Sequence, residues 1–161
     1  MSSTPPATRP PKIPESVLVI IHTPQLDVLL IERADATDHW QSVTGSKDSL
    51  AESLVETCVR EVGEETGIRI GTAAVPLAAL RDCELINVYE IYPRWRQRYA
   101  PGVTHNTEHV FGLLVPDRVP VALSPREHLQ SVWLPYEKAA AMCFSWSNRE
   151  AILDVPARLA A

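Results

Sequence analysis

The segment that most constrains the fold of this chain is an amphipathic helix predicted for residues 52–66. Apolar residues recur within it at spacings of three and four, which is typical of one face of a helix. Gly67 follows at the place where a glycine commonly ends a helix. A helix with one apolar side needs a surface to pack on, so we expect Val55, Val59 and Val62 to contact a sheet.

The polar side of this helix carries an unusual concentration of carboxylates. Glu61 and Glu65 lie one turn apart on the same face, and Glu64 lies on the adjoining flank. Their mutual repulsion would be removed by a hard divalent cation that prefers oxygen ligands, such as Mg²⁺ or Mn²⁺. Arg60 is four residues from both Glu56 and Glu64, so we expect it to pair with either and support the array. A solvated acidic surface is the alternative, and it is the commoner explanation for a run of glutamates.

The rest of the chain predicts strands wrapped around two or three helices. The order does not follow a regular βαβ repeat, which indicates a mixed α/β (α+β) sandwich. Strands are predicted at residues 17–21, 28–31, 78–82, 85–92, 108–115 and 131–134, with a loop at 34–49 and further helices at 136–142 and 147–153.

Length and composition predict one domain. The chain has 161 residues, which suits a single core. We expect residues 15–155 to form this domain and the Ser/Thr/Pro-rich residues 1–14 to form a flexible arm. The apolar stretches are far shorter than the roughly 20 residues that span a bilayer, so no membrane segment is expected. Three cysteines without a CxxC pair favour reduced thiols and a cytoplasmic location.

The negative charge of the chain is concentrated in one place. The formal net charge is −5, from 15 Lys and Arg against 20 Asp and Glu. Residues 48–65 alone hold six acidic residues and one base, Arg60, a local sum of −5, so the remainder is balanced. An acidic balance argues against nucleic acid or an anionic membrane as the partner. It is compatible with a small polyanion only if bound cations neutralise the acidic patch.

The helical segment and the turn before it resemble the Nudix box, the signature of hydrolases that cut a nucleoside or related diphosphate linked to another group. The matching residues read Gly45-x6-Glu52-x7-Arg60-Glu61-Val62-x-Glu64-Glu65-x-Gly67-Ile68. The front half departs from the family pattern, which has five residues between its first glycine and its first glutamate, whereas six lie between Gly45 and Glu52. The second glycine that the family has in this turn is also missing. The helical half matches position by position.

Shorter motifs resemble one branch of this family, the bacterial enzymes that act on dihydroneopterin triphosphate early in folate synthesis. These motifs lie at residues 40–46, 98–104, 106–108, 127–129 and 145–149, and the resemblance runs from about Lys12 to Ile152. It implies a Nudix-type α/β/α sandwich with a mixed sheet and dependence on Mg²⁺. It also implies cleavage of the triphosphate to pyrophosphate and a monophosphate.

The resemblance also implies roles for individual residues. Glu61, Glu65 and Glu127 would be metal ligands, and Glu127 or Glu64 would be the base that takes a proton from water. Residues that would contact substrate are Lys12, Arg33, Thr44, Tyr89, Glu90, Ile91, Tyr92 and Ser145. Among these, the two cations would neutralise phosphate charge, a tyrosine would offer its face to the pterin ring, and Glu90 would accept hydrogen bonds from the ring's amino-pyrimidinone edge.

Three alternatives stay open at this level. The main substrate could be a nucleoside triphosphate such as dATP, because the diphosphate chemistry is the same. The altered turn between Gly45 and Glu52 would also suit a catalytically weak module that binds nucleotides without turnover. The basic run Arg94, Arg96, Arg98 could suit single-stranded nucleic acid, but it is short and the chain is acidic, which favours a phosphate-facing or solvated loop. The oligomeric state and the number of metal ions are left open.

Overall fold

A seven-stranded mixed sheet forms the centre of the computed structural model, which describes residues 10–159. The strands are β1 (Glu15–His22), β2 (Asp27–Arg33), β3 (Trp40–Gln41), β4 (Val43–Ser46), β5 (Leu80–Glu90), β6 (His105–Leu114) and β7 (His128–Pro135). The helices are α1 (Leu54–Thr66), α2 (Tyr136–Met142), α3 (Trp146–Leu153) and α4 (Val155–Leu159), with short 3₁₀ helices at Leu77–Ala79 and Pro93–Arg98.

Two strands of the sheet, β2 and β4, pair with the same edge of β1. The main order is β3-β2-β1-β6-β5, with β1 and β6 parallel and the other neighbours antiparallel. Strand β4 pairs with β1 from Ser16 to Val19, whereas β2 meets β1 only at His22. Strands β2 and β4 therefore share one edge of β1 at different heights, and β2 continues outward to pair with β7.

Alternating residues of β1 supply two separate cores. Val17 and Val19 point to the face covered by α1, where they join Cys58 and Val62. Leu18 and Ile20 point to the opposite face, together with residues of α2 and α3. Alternation along a strand that is buried on both sides requires a layer on each face. The predicted α/β/α sandwich is confirmed.

Several element predictions need correction. The two strands predicted at 78–82 and 85–92 are replaced by one strand, β5, which spans Leu80–Glu90 and has a register shift between Asp82 and Leu85, where Glu84 has a φ of 55°. The predicted 34–49 loop contains β3 and β4, which are too short to show a periodic pattern. Helix α1 begins at Leu54 because Ser53 caps it, and Gly67 ends it in the left-handed conformation with a φ of 75°, as predicted.

The buried side of α1 differs from the prediction. Val55 is 41% exposed, whereas Cys58 and Val62 are fully buried. The helix is rotated so that Glu65, only 3% exposed, also faces inward. The prediction for Val55 was wrong because the spacing of apolar residues defines a broad apolar face and does not specify which part of that face contacts the sheet.

Both ends of the domain extend beyond the predicted limits. Of the expected flexible arm, residues 1–9 lie outside the described residues. Lys12 donates its backbone N–H to Arg98 O at 2.8 Å, and Pro14 O accepts from Thr107 N at 3.0 Å, so this part of the arm is attached to the domain. At the other end α4 continues to Leu159. None of the helices in residues 10–159 is long and apolar enough to cross a membrane.

Candidate active site

Helix α1 places the carboxylate of Glu61 directly against Gly45 of strand β4. A Cβ atom at Gly45 would overlap the carboxylate of Glu61, so only glycine allows this close approach. The first glycine of the motif therefore has a steric function: it leaves room for the carboxylate between helix and sheet.

Arg60 holds this region together through several acceptors. Its Nε and Nη2 donate to the two carboxylate oxygens of Glu52, each at 2.9 Å, and Nη2 also donates to Ser46 O at 2.9 Å. Its Nη1 donates to Glu61 Oε1 at 2.8 Å and to Glu64 Oε2 at 3.4 Å. A bidentate guanidinium–carboxylate pair is among the stronger polar contacts in proteins, and it lowers the pKa of Glu52 to about 2.

This arrangement corrects the expected role of Glu56. Glu56 does not pair with Arg60; it accepts from Ser53 N, while Ser53 Oγ accepts from Glu56 N at 3.0 Å, which forms a capping box. Glu52 takes the expected role, and it also accepts from Thr57 Oγ1 at 2.8 Å and Asp48 N at 2.9 Å. The longer turn after Gly45 therefore still delivers Glu52 to Arg60, because the additional length forms an exposed turn at Leu50.

Burial and repulsion both act on the two inward carboxylates. Burial, opposed by Arg60 and reinforced by Glu64 and Glu127, raises the pKa of Glu61 to about 7. Burial, together with the charges of Glu61 and Glu127, raises the pKa of Glu65 well above its ordinary value. Within residues 10–159, Glu65 Oε2 is a buried acceptor without a hydrogen-bond donor.

Glu127 and His128 approach Glu65 from the loop before β7 and from the start of that strand. One potential ligand atom from each of Glu65, Glu127 and His128 lies within 4.8 Å of the others. His128 Nε2 is 3.3 Å from Glu65 Oε1, and burial lowers the pKa of His128, which favours the neutral ring. An unpartnered buried carboxylate oxygen among mutually repelling acids is an environment that a hard cation fits.

A cavity of about 1540 Å³ opens beside these carboxylates. Glu61, Glu65 and Glu127 line one part of it. All the residues predicted to contact substrate also line it, namely Lys12, Arg33, Thr44, Tyr89, Glu90, Ile91, Tyr92 and Ser145. Glu64 and Glu56 are not among the lining residues, and the side chain of Glu64 is 56% exposed. The structure thus separates Glu64 from the other three acids proposed as catalytic.

The two predicted phosphate-binding cations differ in their surroundings. Lys12 lies over the ring of Tyr99 at 5.7 Å, and burial together with the charges of Arg98 and Arg33 lowers the pKa of Lys12 to about 8. Arg33 already donates Nε and Nη2 to Asp35, each at 2.7 Å. The Nε and Nη2 side of the Arg33 guanidinium is therefore occupied by Asp35, and its Nη1 donates to Gln41 Oε1 at 3.3 Å.

The segment after β5 lines the other part of the cavity. Strand β5 ends at Glu90, so Tyr89 lies within the strand and Tyr92 follows it, and both tyrosines line the cavity. Tyr92 contacts Trp95 edge-on at 5.4 Å and lies 6.4 Å from Phe144. Glu90 is paired with Arg96, and its side chain is 66% exposed. The expected hydrogen-bonding role of Glu90 inside the site does not agree with this position.

Ile91, Thr44 and Ser145 contribute to the walls in different ways. Ile91 is 3% exposed and donates its backbone N–H to Thr104 O at 2.8 Å. Thr44 Oγ1 donates to Val17 O at 3.0 Å, and Ser145 is the N-cap of α3. Ser145 begins the motif at residues 145–149, and its neighbour Asn148 is tied to Ser42 by two hydrogen bonds of 2.8 and 3.0 Å. This motif therefore fixes α3 against the strands that line the cavity.

Sequence reasoning missed several residues of this cavity. His128 follows a predicted ligand directly, but a single histidine carries no spacing signal. Asn106 and Glu108 are 2% and 4% exposed and line the cavity from β6; the motif at 106–108 contains both, but no role in the site was predicted for either. A buried charged residue on a strand is the signal that would have found Glu108, and burial is visible only in the folded chain.

Comparison with known proteins agrees with this geometry. A family model described as "NUDIX domain" matches residues 12–155. The chain belongs to the Nudix family. Two Nudix relatives are named dihydroneopterin triphosphate diphosphatase: one from Escherichia coli K12, 42% identical over 88% of this chain and 91% of its own length, and one from Haemophilus influenzae, 40% identical over 86% and 84%.

Solved structures show the same Nudix fold. The structure of the E. coli dihydroneopterin triphosphate pyrophosphohydrolase is similar with a TM-score of 0.81 and 41% identity, covering 89% of this chain and 95% of that one. A NUDIX hydrolase from Listeria monocytogenes has a TM-score of 0.73 at 22% identity, covering 91% and 94%, and at that identity it supports the fold alone.

Proposed function

We propose that this Nudix protein hydrolyses dihydroneopterin triphosphate to dihydroneopterin monophosphate and pyrophosphate with Mg²⁺, or Mn²⁺ in its place. One observation carries the proposal: a single cavity is lined by three carboxylates, by the cations Lys12 and Arg33, and by a set of aromatic residues. A triphosphate linked to a flat ring has matching parts. The names of the relatives that are 40–42% identical over most of the chain support the same substrate.

Glu61, Glu65 and Glu127 would hold the metal ion. When bound, Mg²⁺ would neutralise charge on the phosphate oxygens and lower the pKa of the attacking water. Glu127 is the better candidate for the base, since it is exposed at the cavity, whereas Glu64 points away and contacts Arg60. His128 would orient Glu65 through Nε2, at 3.3 Å from Oε1. Lys12 would contribute positive charge to the phosphates, and Arg33 would do so while paired with Asp35.

The alternative of a module without turnover depends on the altered turn, and the structure weakens its basis. Glu52 reaches Arg60 despite the longer turn, and Arg60 contacts Glu61. The basic run that could suit nucleic acid is largely engaged: Arg96 pairs with Glu90, and Arg94 lies 4.3 Å above the ring of Trp95. We therefore propose a small-molecule triphosphate as the ligand, within a cytoplasmic folate pathway, and no nucleic acid or membrane partner.

The test is an assay of the purified protein with Mg²⁺ against dihydroneopterin triphosphate, dATP and dGTP, with pyrophosphate and orthophosphate measured separately. Pyrophosphate release fastest from the pterin compound is expected. Faster release from dATP would make a nucleoside triphosphate the substrate, and absence of turnover with every compound would favour the binding module. Glu150→Gln, on the exposed side of α3, serves as a control for handling of variants.

A further inference from the structure

The floor of the cavity holds a second acidic site, distinct from the carboxylates of α1. Glu108 on β6 is 4% exposed and lines the cavity. Its known donors are Asn87 Nδ2, at 3.3 Å from Oε1, and the hydroxyl of Ser147. A carboxylate can accept about four hydrogen bonds, so Glu108 retains acceptor capacity toward the cavity.

Asn106, two residues earlier on the same face of β6, adds an independent observation. Its Nδ2 donates to Ser16 Oγ at 2.7 Å and to Tyr89 OH at 3.0 Å. Its Oδ1 has no hydrogen-bond donor among residues 10–159, although Asn106 is only 2% exposed. A buried unpartnered acceptor in a cavity wall indicates a ligand that brings a donor.

The position of Glu108 suits the ring end of a ligand whose phosphates lie at α1. Glu108 is in register with Ser16 of β1, and Ser16 with Ser46 of β4, next to Gly45, which contacts Glu61. Adjacent strands lie about 4.8 Å apart, so two strand spacings place Glu108 roughly 10 Å from the row that meets the α1 carboxylates. The floor site and the metal-binding end are thus separate parts of one cavity.

We propose that Glu108, with Asn106 beside it, binds the edge of a 2-amino-4-oxo-pyrimidine ring and selects for it. This edge presents two adjacent N–H donors, on the 2-amino group and on N3, which match the two oxygens of one carboxylate. Adenine lacks this pair, because its ring nitrogen at the corresponding position is an acceptor. The inference rests on the proposed function for its pterin, but the edge is shared by pterin and guanine. Glu90, paired with Arg96 and largely exposed, is replaced by Glu108 in this role.

The test compares Glu108→Gln with the unmodified protein, using dihydroneopterin triphosphate, dGTP and dATP as substrates. Glutamine keeps the size but presents one acceptor and one donor group to the ring. We expect kcat/KM for dihydroneopterin triphosphate and dGTP to fall by roughly 10- to 100-fold relative to that for dATP. Unequal losses for the pterin and guanine compounds distinguish which ring the site suits better. An unchanged preference in a folded variant overturns the proposal.

A binding measurement separates this inference from the proposed function. Neopterin, which has no phosphate, is titrated without metal by following its fluorescence, with adenosine as competitor. Neopterin binding that is lost in Glu108→Gln but kept in Glu150→Gln supports the floor site even if no pyrophosphate is released from any substrate. Should Glu108→Gln fail to fold, Asn106→Ala takes its place, with an expected loss of roughly 3- to 10-fold in the same preference. Equal neopterin binding by every folded variant refutes the site.

Discussion

Removing Mg²⁺ should destabilise this protein much more at pH 8 than at pH 5. The reason lies in Glu61, whose pKa is raised by burial from 4.5 to about 7 in the metal-free fold. A raised pKa contributes stability that is fully present below 4.5 and is lost as the pH rises through about 7. Glu65, whose pKa is also raised by burial, acts in the same direction.

The magnitude follows from the interval over which Glu61 titrates. At about 1.4 kcal/mol for each pH unit, the rise from 4.5 to about 7 corresponds to about 3 kcal/mol. For a chain of this length 1 kcal/mol changes Tm by about 2–4 °C, which gives roughly 6–12 °C. A bound cation offsets this cost because it stabilises the ionised carboxylates. The difference in Tm with and without Mg²⁺ should therefore grow by about that amount between pH 5 and pH 8.

The assay is thermal unfolding in EDTA or in saturating Mg²⁺ at half-unit steps of pH. Glu61→Gln provides the variant, since its side chain is neutral throughout and should remove much of the pH dependence. Glu150→Gln provides the control, because its exposed side chain should leave the curve unchanged. A Mg²⁺ effect on Tm that is equal at pH 5 and pH 8 would refute the assignment of Glu61 as a buried ligand.

Four further changes test the helix and its surroundings. Gly45→Ala should place a Cβ against the Glu61 carboxylate and destabilise the protein by about 1–3 kcal/mol in chemical denaturation, with weaker Mg²⁺ activation. Gly63→Ala should stabilise it by up to about 1 kcal/mol, because the nearest heavy atom to the new Cβ is 4.0 Å away; a loss of stability would reveal a contact. Glu65→Gln should lower kcat by orders of magnitude with an unchanged circular dichroism spectrum, and near-normal turnover would remove it from the metal site. Deleting Ala51 should leave kcat unchanged or raised, whereas a large loss would show that the exposed turn has a required shape.

The features that could be predicted from the sequence are those that depend on interactions between residues close together in the chain. The bounds of α1 follow from residues within the helix itself: Gly67 adopts a left-handed conformation that other residues adopt at a cost, and the apolar spacing repeats at the helical period. The carboxylates Glu61 and Glu65 are one turn apart for the same geometric reason. The substrate residues inferred from resemblance all line the cavity, and two of them, Thr44 and Ser145, lie within the short motifs that carry the resemblance.

The features that could not be predicted from the sequence, such as the partner of Arg60 and the buried side of α1, depend on how the elements pack in the folded chain. Arg60 has possible partners at four residues on either side, but the fold brings Glu52 to its guanidinium and leaves Glu56 to cap the helix. Val55 is as apolar as Val62, yet only the rotation of α1 on the sheet decides which is buried.

The acidic helix could be predicted from its periodicity, and the resemblance of its motif to the Nudix box implied the family and the layered architecture. The burial of Glu108 and Asn106 in the cavity wall, and the pairing of the exposed Glu90 with Arg96, depend on contacts between separate strands and loops. A carboxylate becomes a selective acceptor only when water is excluded and neighbouring strands hold it in place. That environment comes from β1, β5 and α3 packing around β6, which no local pattern records.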